Sequence, residues 1–229
     1  NLSYETLKLS GLEDGIPIKV TSTSGEWRLM SYLARVNYSF KSKYLFTTSF
    51  RADGSSKFST NNRWAFFPSG SVAWVVSQEP FMKGMKNIIR NFKIRSSWGR
   101  TGNNNVSDFA SRGQLLSNGM IYPFGGLVNN SAMIISKMDN IALKWETTEQ
   151  FDLGTEFSLL KNKVKVEIDY YDKSTYDLLL NADLPYSSGY TKAEKNVGSI
   201  SNQGFEFTVN ANIISKKKFN WDMNFNIST

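Results

Sequence analysis

The chain has 229 residues, a formal net charge of +7, and neither cysteine nor histidine. The missing cysteine excludes disulfides, thiol nucleophiles and thiolate metal sites, and the missing histidine excludes the usual general base and most zinc sites. The lysines are dispersed apart from one run at residues 216–218, which argues against a nucleic-acid partner.

Nearly all of the predicted secondary structure is β-strand. Residues 1–26 predict loop with a possible strand end. From Trp27 onward apolar and polar side chains alternate, and a period of two places each set on one face of a sheet. In the first strand, for example, Tyr38 and Phe40 share a face while Asn37 lies on the other. The alternation predicts eight strands in four hairpins, over residues 27–40, 44–51, 64–77, 92–98, 150–159, 164–175, 205–213 and 219–227.

The connections between these strands sort by length. Short connections are predicted at residues 41–43, 78–89, 161–163 and 215–218, and long ones at residues 53–62, 99–144 and 178–202. The strand ends therefore form a short-turn end and a long-loop end. Three local features are also predicted: a helical turn within residues 78–87, a bulge or weakly paired point at Pro68, and a short strand near residues 133–135.

Two architectures fit this alternation. A soluble β-sandwich buries one face of each strand, and it would place Phe205, Phe207, Trp221 and Phe225 between two sheets. Strands of about ten residues, however, exceed the usual five or six and match the apolar band of a membrane barrel. Such barrels also have short turns at one end and long loops at the other.

Aromatic side chains near the predicted strand ends add a further argument for a membrane barrel, because aromatic girdles mark its interfaces. These residues are Trp27, Tyr32, Tyr44, Trp64, Tyr170 and Tyr171. The pattern therefore favours an all-β fold of antiparallel, up-and-down transmembrane β-barrel strands, with the apolar face on lipid and the polar face on a watery lumen. Eight strands could also close into a small, self-contained barrel, in which the first and last strands pair.

Several short motifs occur along the chain in a recognisable order. They read RVNYSF at 35–40, RADGSSKF at 51–58, FPS at 67–69, KIRSSWGRTGN at 93–103, WETT at 145–148, DYYDKSTYDLL at 169–179, NVG at 196–198 and NQGFE at 202–206. In this order and spacing they resemble the SusC/RagA family of TonB-dependent outer-membrane transporters.

The resemblance implies a 22-stranded barrel in the cell outer membrane, with residues 27–229 supplying about eight strands from its C-terminal half. We therefore expect an internal piece of a longer protein. It also implies import of polar nutrients such as oligosaccharides or peptides, a SusD-like surface lipoprotein as partner, and energy from the TonB-ExbB-ExbD complex through an N-terminal part. A siderophore- or cobalamin-type receptor is an alternative.

Ligand contacts are expected in the two longest loops, which the resemblance places outside the cell. The candidate residues there are Asn103, Asn104, Asn129, Asn130, Tyr186 and Tyr190. Two carboxylate pairs, Asp169/Asp172 and Glu146/Glu149, are predicted to line the lumen or the loops, since the chain has no histidine partner for acid–base chemistry. No catalytic residue, metal site or cofactor is predicted, and the protein is not expected to be an enzyme.

Overall fold

The computed structural model describes residues 24–124, 127–190 and 192–229. The strands in this part of the chain are β1 (Leu29–Phe40), β2 (Tyr44–Ser55), β3 (Trp64–Trp74), β4 (Ile89–Asn103), β5 (Gln114–Phe124), β6 (Leu127–Lys137), β7 (Glu146–Leu159), β8 (Val164–Tyr176), β9 (Leu179–Asp183), β10 (Lys192–Asn196), β11 (Ser199–Lys216) and β12 (Phe219–Ser228). Short 3-10 helices cover Thr60–Asn62, Val76–Gln78, Pro80–Met85 and Tyr186–Ser188. No helix among the described residues is long and apolar enough to cross a membrane.

Eight strands form one antiparallel sheet in the order β1-β2-β3-β4-β7-β8-β11-β12. They are the eight strands that the alternation predicts, and each pairs with its neighbour along the chain. The sheet is open, because β1 and β12 form its two edges and do not pair within the described part of the chain. This excludes the self-contained eight-stranded barrel.

The apolar face of the large sheet is uncovered. Phe205, Trp221 and Phe225 are 59%, 50% and 50% exposed, and Phe207 is half-buried. The other sheets in the described residues are the two-stranded pairs β5–β6 and β9–β10. The burial that a sandwich requires is therefore absent here, and the sandwich alternative is wrong.

Aromatic side chains follow the girdle prediction only in part. Tyr32 and Trp64 stack with ring centroids 5.9 Å apart near the long-loop end, and Tyr44 begins β2 at the short-turn end. Tyr170, however, lies in the middle of β8, and Tyr171 lies on the polar face. The girdle prediction is therefore wrong for Tyr170 and Tyr171. Adjacent residues in a strand occupy opposite faces, so only Tyr170 can face lipid, and it lies away from the strand ends.

Local departures from the predicted strands have identifiable causes. Pro68 pairs with Phe50 without a register shift, so no bulge forms there, although the pairing of β3 with β4 begins only at Ser69. The two 3-10 helices at Val76–Gln78 and Pro80–Met85 confirm the helical turn. Register shifts occur instead near Asn91 in β4 and between Asn212 and Ile214 in β11.

Two of the tight hairpin turns use left-handed backbone conformations without glycine. Lys41 and Ser42 have φ of 52° and 53°, and the Lys43 amide donates to the Phe40 carbonyl at 3.0 Å. Two successive positive φ angles give a turn whose twist matches that of paired strands. At the next short turn Leu160, Lys161 and Asn162 have φ of 51°, 58° and 70°.

The long connections contain structure that the sequence does not signal. β4 continues to Asn103 and β11 begins at Ser199, so the connections run over residues 104–145 and 177–198. The hairpin β5–β6 includes the predicted short strand near residues 133–135. The hairpin β9–β10 is not predicted, because each of its strands has only five residues and lacks a sustained period.

Candidate functional site

Polar side chains from neighbouring strands line up across one face of the large sheet. The pairing places one row across the seven strands of the large sheet from β1 to β11, because residues opposite each other in a ladder share a face. The row consists of Arg35, Ser49, Ser69, Gly99, Gln150, Lys173 and Asn202. The alternation of β-strands thus gathers polar groups that are far apart in the sequence.

A first groove of about 690 Å³ lies on this face over β1, β2, β3, β4 and β7. Its wall carries hydroxyls and charges that are already hydrogen-bonded to one another. The hydroxyl oxygens of Ser49 and Ser69 are 2.6 Å apart. Arg51 donates from Nε to both carboxylate oxygens of Asp53, at 2.8 and 2.7 Å. Because Asp53 is buried, this ion pair fixes the direction of the Arg51 side chain.

A second groove of about 740 Å³ lies beside the first, over β7, β8 and β11. Gln150 and Asp152 line both grooves, so the two form one continuous polar strip. Asp152 accepts hydrogen bonds from Ser97 Oγ at 3.0 Å and Gln150 Nε2 at 2.8 Å. Arg95 Nη2 donates to Asp169 Oδ2 at 2.9 Å.

The carboxylate pairs do not form catalytic dyads. Asp169 faces the polar strip, where it contacts Arg95, while Asp172 lies opposite Phe151 on the apolar face. Glu146 and Glu149 are likewise divided, since an odd spacing within a strand puts two residues on opposite faces. Among the described residues, no group of acidic side chains is arranged to hold a metal ion. What the strip offers is a set of fixed donors and acceptors that can replace the hydration of a polar solute.

At the long-loop end the connections pack into a buried cluster, here called the loop core. Its members are Phe58, Phe67, Ala110, Leu143 and Trp145. The Trp145 ring lies 5.3 Å from that of Phe58 and 5.7 Å from that of Phe67, and its Nε1 donates to the Arg63 carbonyl at 3.0 Å. Gly102 abuts the Phe67 ring so closely that any Cβ there would collide with it.

Glu194 joins two of these connections. Its carboxylate accepts hydrogen bonds from Lys137 Nζ at 2.8 Å and from the Ser107 hydroxyl, and its carbonyl accepts one from Asn140 Nδ2 at 2.8 Å. Burial of Glu194 acts to raise its pKa, but the hydrogen bonds from Lys137 and Ser107 outweigh burial, so the pKa lies below its ordinary value. The carboxylate therefore stays charged and holds β10 against residues 104–145.

Two predicted ligand candidates serve this packing. Asn103 Nδ2 donates to Glu146 Oε1 at 3.1 Å, and Asn104 Nδ2 donates to Ser55 Oγ at 3.2 Å. Neither asparagine lines either groove. Their side-chain amides connect the end of β4 to neighbouring elements.

The other four candidates lie in the two long connections. Asn129 and Asn130 belong to β6, and Tyr186 begins the 3-10 helix Tyr186–Ser188, but these three side chains lie outside the described residues. Tyr190 is half-buried, and its amide donates to Ser188 Oγ at 3.2 Å. As ligand contacts, all six residues stay predictions.

Sequence reasoning missed a buried carboxylate at the short-turn end. Glu79 accepts hydrogen bonds from Lys43 Nζ at 2.9 Å, Tyr44 Oη at 2.9 Å and Trp74 Nε1 at 3.2 Å. The bonds from Lys43, Trp74 and Tyr44 hold the pKa of Glu79 below its ordinary value. These four residues, here called the Glu79 cluster, tie the β1–β2 turn to the end of β3. The only hint in the sequence is a lone acidic residue before Pro80.

The chain is similar to known proteins over nearly all of its length. Residues 3–229 match the family model described as "TonB dependent receptor-like, beta-barrel". The chain is 39% identical over 229 residues to TonB-dependent receptor P3 of Formosa agariphila, covering 99% of this chain and 22% of that protein. It is 38% identical over 204 residues to TonB-dependent receptor SusC of Bacteroides thetaiotaomicron, covering 87% of this chain and 20% of SusC.

A solved structure of the RagAB peptide transporter superposes with a TM-score of 0.79 at 27% identity, covering 88% of this chain and 22% of that chain. The chain thus spans about a fifth of the length of each of these proteins. The open sheet matches a barrel fold whose remaining strands lie in the larger proteins.

Proposed function

This chain belongs to the TonB-dependent receptor-like β-barrel family, and we propose that it supplies part of the wall of an importer for polar nutrients. Its place is the cell outer membrane, where relatives of the SusC and RagA type are found. In this proposal residues 27–229 are barrel wall, and their apolar face meets lipid. Closure by further strands satisfies the edges of β1 and β12, since an unpaired strand edge is not tolerated in lipid.

The single observation that supports import is the continuous polar strip formed by the two grooves. It presents hydroxyls, amides and paired charges along the lumen side of seven strands. A mixed surface of this kind suits solutes that are rich in hydroxyl or amide groups, such as oligosaccharides or peptides. The similar RagAB structure is named as a peptide transporter. The strip acts in this proposal by contacting the solute and not by catalysis.

The proposal includes an orientation and two partners. The short-turn end faces the periplasm and the long-loop end faces outward, as in barrels with short periplasmic turns. The loop core then offers a rigid outer surface to a SusD-like lipoprotein, and the TonB-ExbB-ExbD complex supplies energy through an N-terminal part. Asn129, Asn130, Tyr186 and Tyr190 are candidates for solute contacts near the outer opening.

Uptake by cells tests the proposal. The gene for the full-length protein is deleted, and uptake of labelled oligosaccharide and oligopeptide mixtures is measured with and without the wild-type gene. We expect uptake of one class to be lost and restored. If the deletion instead impairs growth only under iron limitation, the siderophore alternative replaces this proposal.

Variants of β7 distinguish the effect on transport of its lumen-facing side chains from that of its lipid-facing side chains. Gln150→Leu with Asp152→Asn changes the strip where both grooves meet, and the expected result is a roughly tenfold higher half-saturating solute concentration, because two hydrogen-bonding groups are altered. Phe151→Leu, between them on the lipid side, is the matched control and should transport normally. Immunoblots of outer-membrane fractions confirm equal amounts of each protein. Equal transport by all variants would contradict a role for the strip.

A further inference from the structure

Residues 80–88, between β3 and β4 at the short-turn end, combine exposed apolar side chains with lysines. Phe81, Met85 and Ile88 are 65%, 45% and 63% exposed. Lys83 and Lys86 alternate with them along the chain and are exposed as well. Neither lysine forms an ion pair with any carboxylate that the structure describes. The segment is therefore both apolar and basic, with its charges unneutralised.

The apolar part of this segment continues the lipid-facing surface of the sheet. The Phe81 ring packs edge-on against Trp74, with centroids 6.5 Å apart, and Trp74 pairs with Tyr44 on the aromatic face. A similar arrangement occurs at the neighbouring turn, where Lys41 Nζ lies 5.2 Å from the centre of the Phe40 ring. Cations thus stand just beyond the last aromatic rings of the lipid-facing surface.

Residues at the start of the segment and just before it hold the segment in this position. Glu79, immediately before it, is fixed by the Glu79 cluster. Met82 is 6% exposed, and Pro80 occupies the start of the 3-10 helix, where its fixed φ suits the helix. Phe81 and Lys83, on either side of the buried Met82, are both exposed.

We propose that residues 80–88 bind the headgroups of anionic phospholipids in the leaflet that borders the short turns. Apolar side chains of basic amphipathic segments enter the boundary between headgroups and acyl chains, while lysine stems extend along it and carry their charges to the phosphates. Anionic lipid is the occupant that complements unneutralised lysines on a surface continuous with the lipid-facing barrel wall. With the orientation proposed above, this is the periplasmic leaflet, and the contact is separate from solute import.

Native mass spectrometry of the full-length protein in mild detergent provides the test. Phosphatidylglycerol and phosphatidylcholine are titrated separately, and the apparent affinity for the first bound lipids is compared. The wild type should prefer phosphatidylglycerol. Lys83→Gln with Lys86→Gln should weaken phosphatidylglycerol binding by about 25-fold, since each of the two basic residues contributes about fivefold at an anionic surface, and should leave phosphatidylcholine binding unchanged. Lys83→Arg with Lys86→Arg should retain the preference.

Two further variants test whether the preference for anionic lipid depends on residues 80–88 in particular. Lys217→Gln with Lys218→Gln removes the same charge from the exposed β11–β12 turn and should change the preference less than twofold. Phe81→Ser with Ile88→Ser should weaken both lipids to a similar degree. The proposal is overturned if the Lys83/Lys86 variant binds phosphatidylglycerol like the wild type, or if the Lys217/Lys218 variant loses as much binding. Neither result bears on nutrient uptake, which the transport assay measures independently.

Discussion

The rings of Phe58 and Trp145 lie 5.3 Å apart, although Phe58 belongs to the β2–β3 connection and Trp145 to the end of the β4–β7 connection. Phe58 is only 1% exposed. Since aromatic pairs in cores contribute beyond the area they bury, this contact strengthens the link between two connections that also share a hydrogen bond from Ser59 Oγ to the Ile141 carbonyl at 2.7 Å. It gives the long-loop end a packed centre of its own, above the open polar face.

Phe58→Ala should loosen the loop core while leaving the strands paired. Truncating a buried phenylalanine costs about 3–5 kcal/mol in a packed core, and here the loss is expected to concentrate in residues 56–63 and 138–145. Hydrogen exchange of the full-length protein should show faster exchange there and unchanged exchange in β2 and β3. Phe109→Ala, an exposed phenylalanine in the same region, is the matched control and should cost less than about 0.5 kcal/mol. Equal protection from hydrogen exchange in the Phe58→Ala and Phe109→Ala proteins would contradict a packed loop core.

Glu194→Ala should release the β9–β10 hairpin from residues 104–145. The change leaves the Lys137 ammonium with the Ser107 hydroxyl but without its carboxylate, at an expected cost of about 1–3 kcal/mol for a largely buried charge that has lost its counterion. Hydrogen exchange across Lys192–Asn196 is the measurement. Lys192→Ala is the control, because its pair with Asp183 is 4.0 Å long and well exposed, and such pairs contribute little. If both variants exchange alike, Glu194 does not hold the hairpin.

Acid should weaken the Glu79 cluster. The pKa of Glu79 in the folded protein lies below its ordinary value, so its stabilising effect is complete above the unfolded pKa and is lost as the pH falls through the folded pKa. Hydrogen exchange of residues 75–79, corrected for intrinsic rates, should therefore increase below about pH 4. Glu79→Gln should show less protection at neutral pH and little further change in acid. Glu26→Gln, an exposed carboxylate, should behave like the wild type.

Lysine substitutions at adjacent positions of β3 should distinguish lipid from lumen. Val72 is 50% exposed on the aromatic face. Ser71, its neighbour in β3, lies on the other face and lines the polar strip. Val72→Lys places a cation on the lipid side close to the interface at Trp74 and should cost up to about 1 kcal/mol, whereas Ser71→Lys should cost less. Unfolding in urea from lipid vesicles compares the two proteins. The face assignment fails if Ser71→Lys is the more damaging change.

The sequence predicts the sheet well because alternation is a local signal. Val72 and Ser71 reveal their faces through their immediate neighbours, and all eight strands of the large sheet follow from that period. The loop core has no such signal, since Phe58 and Trp145 are isolated aromatic residues in irregular segments and become buried only through contacts between connections. Asn103 is predicted as a ligand contact from the sequence, and only the structure shows that its amide donates to Glu146.

The sequence predicts the polar strip less fully than the sheet but better than the loop core. The side of the sheet on which Gln150 and Asp152 lie is predictable from the period of two. The register that sets Gln150 opposite Gly99 depends on pairing across a long connection, which the alternation does not specify. The Glu79 cluster is beyond prediction for a related reason, because its donors come from a turn and two different strands.

Contacts within the long-loop end also govern how these receptors can be recombined. Phe58, Trp145 and Glu194 come from three connections, and each makes its main contact with a partner in another. A chimera that grafts only one connection onto a relative would carry half of each contact and leave a cavity or a lone charge behind. Exchanging residues 56–63, 104–145 and 177–198 together keeps the Phe58–Trp145 and Lys137–Glu194 contacts intact. The three connections therefore constitute one exchangeable cassette.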